Sequence, residues 1–272
     1  MSNILGISSG GIAAYQRALS TVSNNIANVN TEGYSRQEVS LKDSAPKKEA
    51  SMYLGTGVLL DSIKRQFDSF AESNLRNSAS DLASQKPMVD YAKRVMDILG
   101  DKNVGLSSAL DTFFSSASAL SADPASTVLR SSFINSADGV ASRFGELSAQ
   151  MDLVSKETRQ GLESCASQVN TLSNQLALIN QSLTKEPNLE SQPPELLDRR
   201  DLTLRQLSEL VRTKITFNSN GSVNVSLGAS MTQGLVVSGQ KARPIGVDPS
   251  GKNPTDLILD PYGNSEPLSE LA

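Results

Sequence analysis

The stretch that decides the fold runs from Ile12 to Arg36 and reads IAAYQRALSTVSNNIANVNTEGYSR. Its first half places apolar residues at alternating steps of three and four, the a and d positions of a heptad repeat. These residues, here called the N-terminal seam, are Ile12, Tyr15, Leu19, Val22 and Ile26. A helix with one narrow apolar seam is unstable alone and needs a partner helix, from this chain or from another copy. The spacing by itself fits an ordinary amphipathic helix as well as a coiled-coil assembly element.

The second half of the stretch predicts the end of this helix. Asn28, Asn30 and Thr31 favour side-chain hydrogen bonds to the backbone over helix propagation, and Gly33 supplies a turn or C-cap. Tyr34 then begins an extended polar run. The sequence therefore predicts a helix that leaves through an Asn-rich turn into extended structure.

Composition excludes several classes of protein. The 272 residues carry a net charge of −4, which argues against nucleic acid as an obligate partner. No run of about eighteen apolar residues is present, so no membrane insertion is predicted. The first residues lack both a basic start and a long apolar core, which argues against a cleaved signal peptide.

The same composition removes most catalytic chemistry. The chain has no His and a single cysteine, Cys165, so it can form neither an internal disulfide nor the usual zinc ligand sets. Catalysis by Ser–His–Asp or Cys–His groups is excluded for the same reason. We predict no catalytic, cofactor-binding or metal-binding residue and no enzyme activity, although a glycan hydrolase would need only two carboxylates. Cys165 falls on an apolar helix seam, which predicts a buried, inert thiol.

The middle of the chain is helical by period. Leu75, Leu82, Val89 and Met96 are one heptad apart, and Pro87 should kink or split their helix. A second helix covers 106–120, a long third helix runs through 133–183, and a fourth covers 195–211. The third would extend roughly 80 Å at 1.5 Å per residue, far beyond the width of a compact domain.

Charged residues near and within these helices have two possible interpretations. Asp198 and Asp201 could act as paired carboxylates, but the interleaved Arg199 and Arg200 favour ion pairs on the helix surface. Residues 45–49, with two lysines, predict a solvated charged loop, and residues 58–63 predict a short strand.

From Lys214 the pattern changes to strands. Residues 215–217 and 223–227 flank an Asn-Gly turn and predict a hairpin, with further strands at 235–237 and 257–259. The predicted fold class is mainly α with a C-terminal β part (α+β), and the shape is elongated. The predicted divisions are a coiled-coil helix with its turn at 1–40, an extended connector at 41–66, a long-helix bundle at 67–212 and the start of a β-rich domain at 213–272. Because no helix complementary to the N-terminal seam follows the strands, we expect a C-terminally truncated chain.

Residues 24–36, NNIANVNTEGYSR, resemble the N-terminal signature of bacterial flagellar axial proteins, which include rod, hook and hook-associated proteins. The Ser-Arg-Gln after the tyrosine is most similar to the FlgK family of hook-associated proteins. The segments GTGV at 55–58 and LLDRRD at 196–201 resemble the same family. Glu32 departs from the pattern, because the family often has Pro there, and the turn is less fixed without it. The residues of this signature turn are Asn25, Asn28, Thr31, Gly33, Tyr34, Ser35 and Arg36.

The resemblance implies a structural subunit that links hook to filament and is required for filament assembly and motility. It also implies self-association into a ring or helical layer with the N-terminal seam in the inner core. Implied partners are the hook protein, the second junction protein and an export chaperone that binds a C-terminal region absent here. The implied location is extracellular, at the hook–filament junction, after type III export without a cleaved signal peptide.

Two alternatives remain open. A rod or hook protein shares the signature but usually turns to β-structure soon after it, whereas this chain continues with long helices. A type III secreted coiled-coil adaptor or translocator would explain the heptads but not the signature, and these helices lack the basic face of a membrane binder.

Overall fold

A computed structural model describes residues 2–49, 51–100, 105–227, 233–248, 256–261, 263 and 266–268. The fold is mainly α with a C-terminal β part, as predicted. Its helices are α1 (Ser2–Ala27), α2 (Ser69–Gly100), α3 (Leu106–Ala122), α4 (Thr127–Leu183) and α5 (Pro194–Leu210). Its strands are β1 (Gln37–Asp43), β2 (Lys47–Glu49), β3 (Met52–Leu54), β4 (Val58–Arg65), β5 (Thr213–Phe217), β6 (Val223–Leu227), β7 (Leu235–Ser238), β8 (Lys241–Ala242), β9 (Ile245–Val247), β10 (Leu257–Leu259) and β11 (Glu266–Pro267).

The segment after α1 forms two antiparallel hairpins. Strand β1 pairs with β4. The shorter strands β2 and β3, which lie between β1 and β4 in sequence, pair with each other in a separate sheet. The predicted strand at 58–63 is confirmed and extends to Arg65. The charged loop predicted at 45–49 is wrong for its last three residues, which form β2. Lys48 lies opposite Tyr53, with its ammonium 6.0 Å from the ring centroid, and this cross-strand partner is not visible in a local charge pattern.

The predicted helices are confirmed, with one correction. Helix α2 continues through Pro87, so the prediction that this residue splits the helix is wrong. A proline removes one backbone donor and frees the carbonyl four residues earlier. Pro87 lies on an exposed stretch, where solvent can satisfy that carbonyl. Helix α4 has 57 residues, about 85 Å at 1.5 Å per residue, and begins at the N-cap Ser126, whose hydroxyl accepts from the Leu129 N–H.

The hydrophobic core lies between the C-terminal half of α4, helix α5 and the small sheets. One sheet has the order β5-β6-β7-β8 and the other β11-β10-β9. The core residues are Ala166, Val169, Leu176, Leu204, Leu207, Val223, Val225, Leu227, Val236, Val237, Ile245 and Leu259. The predicted hairpin is confirmed, with Gly221 at φ 84° in its turn. Residues on both sides of position 213 therefore share one core.

Two asparagines of α4 attach the helix to these sheets. The buried Asn180 amide donates to the Val223 carbonyl (2.7 Å) and accepts from the Val223 N–H (2.9 Å). Asn170 makes the same reciprocal pair with Ile245, at 2.8 Å in both directions. A side-chain amide offers the donor and acceptor that a neighbouring strand residue would offer, so each asparagine satisfies strand groups that would otherwise be unpaired.

Candidate functional site

The N-terminal seam faces solvent. Ile12, Tyr15, Leu19, Val22 and Ile26 are between 51% and 69% exposed, and these five residues lie along one side of α1. Helix α1 instead packs against the β1–β4 hairpin through a different face, on which Ala14 and Thr21 are buried. The seam that the sequence singled out thus has no covering element among the described residues.

Helix geometry explains why the packed face and the seam are separate. At about 100° per residue, Ala14 and Thr21 lie roughly 130° around the helix from the centre of the seam. The packed face is made of small residues that allow close approach. A Cβ on Gly10 would lie 3.7 Å from the Val58 carbonyl oxygen, and the side chain of Ile7 lies against Gly57.

The signature turn fixes how the chain leaves α1. The Asn25 amide donates to the Gln37 carbonyl (2.8 Å) and accepts from the Gln37 N–H (2.9 Å), the same reciprocal pair that α4 uses. The Tyr34 hydroxyl also donates to Asn25 Oδ1, at 2.8 Å. Desolvation by burial raises the pKa of the Tyr34 phenol, and the nearby Asp198 and Glu195 raise it further, so the hydroxyl keeps the proton that it donates.

The other signature residues shape the turn itself. Asn28 donates to the Asn24 carbonyl at 3.0 Å, and the Thr31 hydroxyl donates to Asn28 Oδ1 at 3.2 Å. Gly33 has φ 78°, and a Cβ at this position would lie 2.9 Å from Leu202 Cβ on α5. Only glycine satisfies both the left-handed backbone and the close approach.

Ser35 and Arg36 differ in what they contact. The Ser35 N–H donates to Asp198 Oδ2 at 3.1 Å, which ties the turn to α5. The Arg36 side chain is exposed and lies 4.0 Å from Glu38, while its backbone carbonyl accepts from the Gln66 N–H. The turn is therefore held by its asparagines, Gly33, Tyr34 and the Ser35 backbone, and not by the arginine side chain.

The surface ion pairs predicted for α5 are wrong, because Asp198 and Asp201 are buried. Arg65, at the end of β4, donates to Asp198 Oδ1 at 2.7 Å and also pairs with Asp201. Arg200 is buried as well, pairs with Asp201 at 2.7 Å and donates to the Gly221 carbonyl at 2.6 Å. These charges connect β4, α5 and the β5–β6 turn, and Asp198 extends the connection to the signature turn.

A second group of charges joins α2 to α5. Arg205 donates to both carboxylate oxygens of Glu72, at 3.2 and 3.0 Å, and Arg76 lies 3.7 Å from the same carboxylate. The buried side of α2 is accordingly polar, with Glu72, Arg76 and Ser80 inside. Its predicted apolar seam is exposed, at 49–72% for Leu75, Leu82, Val89 and Met96. Two helices of this chain thus present apolar seams to solvent.

The arrangement offers packing surfaces, and the buried charged side chains of the described residues take part in ion pairs. Within the described ranges, no cluster of three His, Cys, Asp or Glu residues could hold a metal ion. No described helix is long and apolar enough to cross a membrane. Cys165 is only partly covered, at the edge of the core, and burial raises the pKa of its thiol. The prediction of a buried thiol therefore holds in part.

Family comparisons agree with this architecture. Residues 5–34, which include most of the N-terminal helix and of its turn, match the family described as flagella basal body rod protein. Residues 92–270 match the family described as flagellar hook-associated protein FlgK helical domain. The chain belongs to the FlgK family of flagellar hook-associated proteins.

Individual relatives point to the same family. The chain is 27% identical over 257 residues to flagellar hook-associated protein 1 of Salmonella typhimurium, covering 94% of this chain and 46% of that protein. It is 31% identical over 252 residues to the Bacillus subtilis protein of the same name, covering 89% of this chain and 49% of that protein. The chain therefore spans about half the length of these relatives.

A solved structure shares the fold. The flagellar hook junction protein FlgK from Burkholderia pseudomallei superposes with a TM-score of 0.63 at 20% identity, covering 71% of this chain and 35% of that one. The two proteins therefore share a fold, and the predicted fold class, long helices followed by a C-terminal β part, is confirmed.

Sequence reasoning missed the partners of the acidic residues. Arg65, Glu72 and Arg76 complete the buried charge network, yet none of them stands close in sequence to α5. The available signals were weak: an arginine at the end of a predicted strand, and an acid pair three residues apart on a helix. Periodicity gives no means of joining two such signals across more than a hundred residues.

Proposed function

We propose that this chain is a structural subunit of the bacterial flagellum that links hook to filament and is required for filament assembly and motility. The observation that supports this most directly is the exposed N-terminal seam on a helix whose exit is fixed by the signature turn. The seam is available for a neighbour, and the turn sets the direction in which the rest of the subunit leaves α1. We propose four parts of the chain: the coiled-coil helix with its turn at 1–40, the connector at 41–66, the long-helix bundle at 67–212 and the start of the β-rich domain at 213–272.

Packing of the N-terminal seam supplies the driving force. Fully burying one large apolar side chain contributes about 1.5–3 kcal/mol, so burying the exposed parts of all five contributes on the order of 5 kcal/mol per subunit. Such association is favoured in a ring or helical layer, where each seam meets its neighbours. The residues proposed for subunit packing are Ile12, Tyr15, Leu19, Val22 and Ile26.

The proposed partners are further copies of this chain, the hook protein on one side and the second junction protein on the other. We also propose an extracellular location at the hook–filament junction, type III export without a cleaved signal peptide, and an export chaperone that binds beyond the helical region. No catalytic activity is proposed, since the support is for packing and no reacting group has been identified.

The experiment is complementation of a deletion strain, followed by motility assays and electron microscopy. Leu19→Asp places a charge in the middle of the N-terminal seam, where its burial between subunits is costly. We expect hooks without filaments and secretion of filament subunits. The matched control is Ser20→Asp, the same charge one position away, off the seam and exposed; it should support swimming.

Normal filaments in the uncomplemented deletion strain would refute the junction role itself. Normal filaments in the Leu19→Asp strain alone would refute the assignment of the N-terminal seam as the packing surface.

A further inference from the structure

A cavity of about 560 Å³ lies where β4, α2, α5 and the β5–β6 turn meet. Its volume is within the range of about 300–1,000 Å³ that is typical of ligand pockets. Its walls combine apolar side chains with guanidinium groups, namely Ile63, Phe67, Leu197 and Phe217 with Arg76 and Arg200. Nothing in the proposed packing of the N-terminal seam uses this cavity.

The guanidinium groups around the cavity outnumber the carboxylates within ion-pair distance. Arg65, Arg76, Arg200 and Arg205 share three carboxylates, those of Glu72, Asp198 and Asp201. At the rim, Lys64 and Glu190 pair with each other at 3.4 Å. One of the four guanidinium groups is therefore less well paired than the others.

The least well paired guanidinium is that of Arg76. Both oxygens of Glu72 accept hydrogen bonds from Arg205, and Arg76 approaches that carboxylate only to 3.7 Å. Arg76 Nη1 is buried and makes no hydrogen bond within the described part of the chain. A buried guanidinium without a hydrogen-bonded partner is costly, and a carboxylate is the partner that suits its geometry.

A second polar atom beside the cavity also lacks a partner. Gln192 is another lining residue, and the two hydrogens on its Nε2 are shared among the carbonyls of Leu183, Glu186 and Asn220, at 2.6–2.9 Å. These three acceptors fix the orientation of the amide, and Oε1 accepts no hydrogen bond from any described residue. A peptide supplies both missing groups, because its backbone carries an N–H and an acidic side chain carries a carboxylate. A fully deprotonated inorganic anion such as sulfate supplies only acceptors.

We propose that this cavity binds a peptide segment of a neighbouring flagellar subunit through an acidic side chain flanked by an apolar one. The carboxylate pairs with Arg76, the apolar side chain lies against Phe67 and Phe217, and a backbone N–H is available to Gln192. This proposal rests on the proposed function, since it takes a neighbouring subunit as the source of the peptide. The cavity is also connected to the signature turn, because the lining residue Arg65 bonds to Asp198, which accepts from the Ser35 N–H.

The test uses the full chain and the dipeptide N-acetyl-Phe-Glu-amide as the probe, with N-acetyl-Phe-Gln-amide as its neutral counterpart. Calorimetric titration should show binding of the acidic dipeptide in the millimolar range, and at least about tenfold weaker binding of the neutral one. Arg76→Gln should weaken binding of the acidic probe about tenfold. The control Arg159→Gln, on the exposed face of α4, should leave it unchanged.

A second variant tests whether a loss of binding in Arg76→Gln comes from the lost contact or from misfolding. Ser73→Leu adds bulk to the cavity wall while leaving the charges in place, and it should weaken binding of the acidic probe at least about tenfold. Circular dichroism of each variant confirms the helical content. Equal affinity for the two dipeptides, unchanged affinity in Arg76→Gln, or no binding up to about 10 mM overturns the proposal.

The cellular readout separates this proposal from the junction role. In the deletion strain, Arg76→Gln should reduce filament number while Arg159→Gln restores it fully. Normal filaments with Arg76→Gln, despite lost dipeptide binding in vitro, would overturn the assignment to a neighbouring subunit and leave the junction role standing. Normal filaments without any copy of the gene would instead refute the junction role.

Discussion

Replacing Asp201 by Asn tests the buried charge network most directly. The carboxylate pairs with both Arg65 and Arg200, and all three side chains are at most 9% exposed. The substitution keeps the shape but leaves Arg200 without an ionic partner and Arg65 with Asp198 alone. Removing one member of a buried ion pair costs about 3–5 kcal/mol, because the remaining charge stays desolvated.

The measurement is urea denaturation at pH 7 and 25 °C, followed by circular dichroism at 222 nm. With a slope of about 2–3 kcal/mol per M, the expected loss lowers the midpoint by roughly 1–2 M urea. The matched control is Asp81→Asn, which breaks the exposed pair with Arg212, whose side chains are 55% and 72% exposed. That change should cost less than about 1 kcal/mol. A loss for Asp201→Asn no larger than for the control would refute the reasoning.

Three further predictions concern the turn, the helix–sheet contact and the thiol. Gly33→Ala should destabilise the fold by about 1–3 kcal/mol more than Gly239→Ala in the same urea assay, because both have positive φ but only Gly33 lies against Leu202. Asn180→Ala should lower the free energy of unfolding by about 3 kcal/mol, since it leaves buried strand groups unpaired. For Cys165, burial raises the pKa of the thiol, so iodoacetamide alkylation of the native chain should reach half its maximal rate at higher pH than in the denatured chain.

Each of these predictions has a contradicting result. Equal losses for the two glycine variants would show that α5 does not constrain the turn. A loss for Asn180→Ala no larger than for Asn170→Ala, whose amide is only partly buried, would remove the argument from burial. The thiol's contribution to stability is present below the unfolded-state pKa and is lost as the pH rises through the native pKa. If the native and denatured chains show the same pH dependence of alkylation, the predicted rise in the pKa of the Cys165 thiol is wrong.

Several elements could be predicted because their signals are local. The long helix α4 follows from an uninterrupted apolar period over 133–183, and the β5–β6 hairpin follows from Asn-Gly between two β-rich runs. The signature turn was located by the order of its residues, and the structure shows the bonds behind that order. Asn25, for example, satisfies both backbone groups of Gln37.

Elements that depend on distant partners could not be predicted. The period of α1 identified its apolar seam, but not that the helix would pack through Ala14 and Thr21 on a different face. The ion pairs of α5 were misjudged because Arg65 lies 133 residues before Asp198, and a helix pattern cannot show which side a distant strand will cover. Pro87 was misjudged because exposure decides whether its freed carbonyl can be satisfied.

The sequence by itself determined where the helices and the β5–β6 hairpin form, which side of α1 is apolar and which family the turn resembles, because propensity, capping and periodicity act over a few residues. The tertiary structure alone decided which charges are buried, which faces remain open and which strands the asparagines of α4 reach. Those outcomes depend on desolvation and hydrogen bonding between distant segments of the chain. These interactions form only when the chain is folded, so no local sequence pattern contains them.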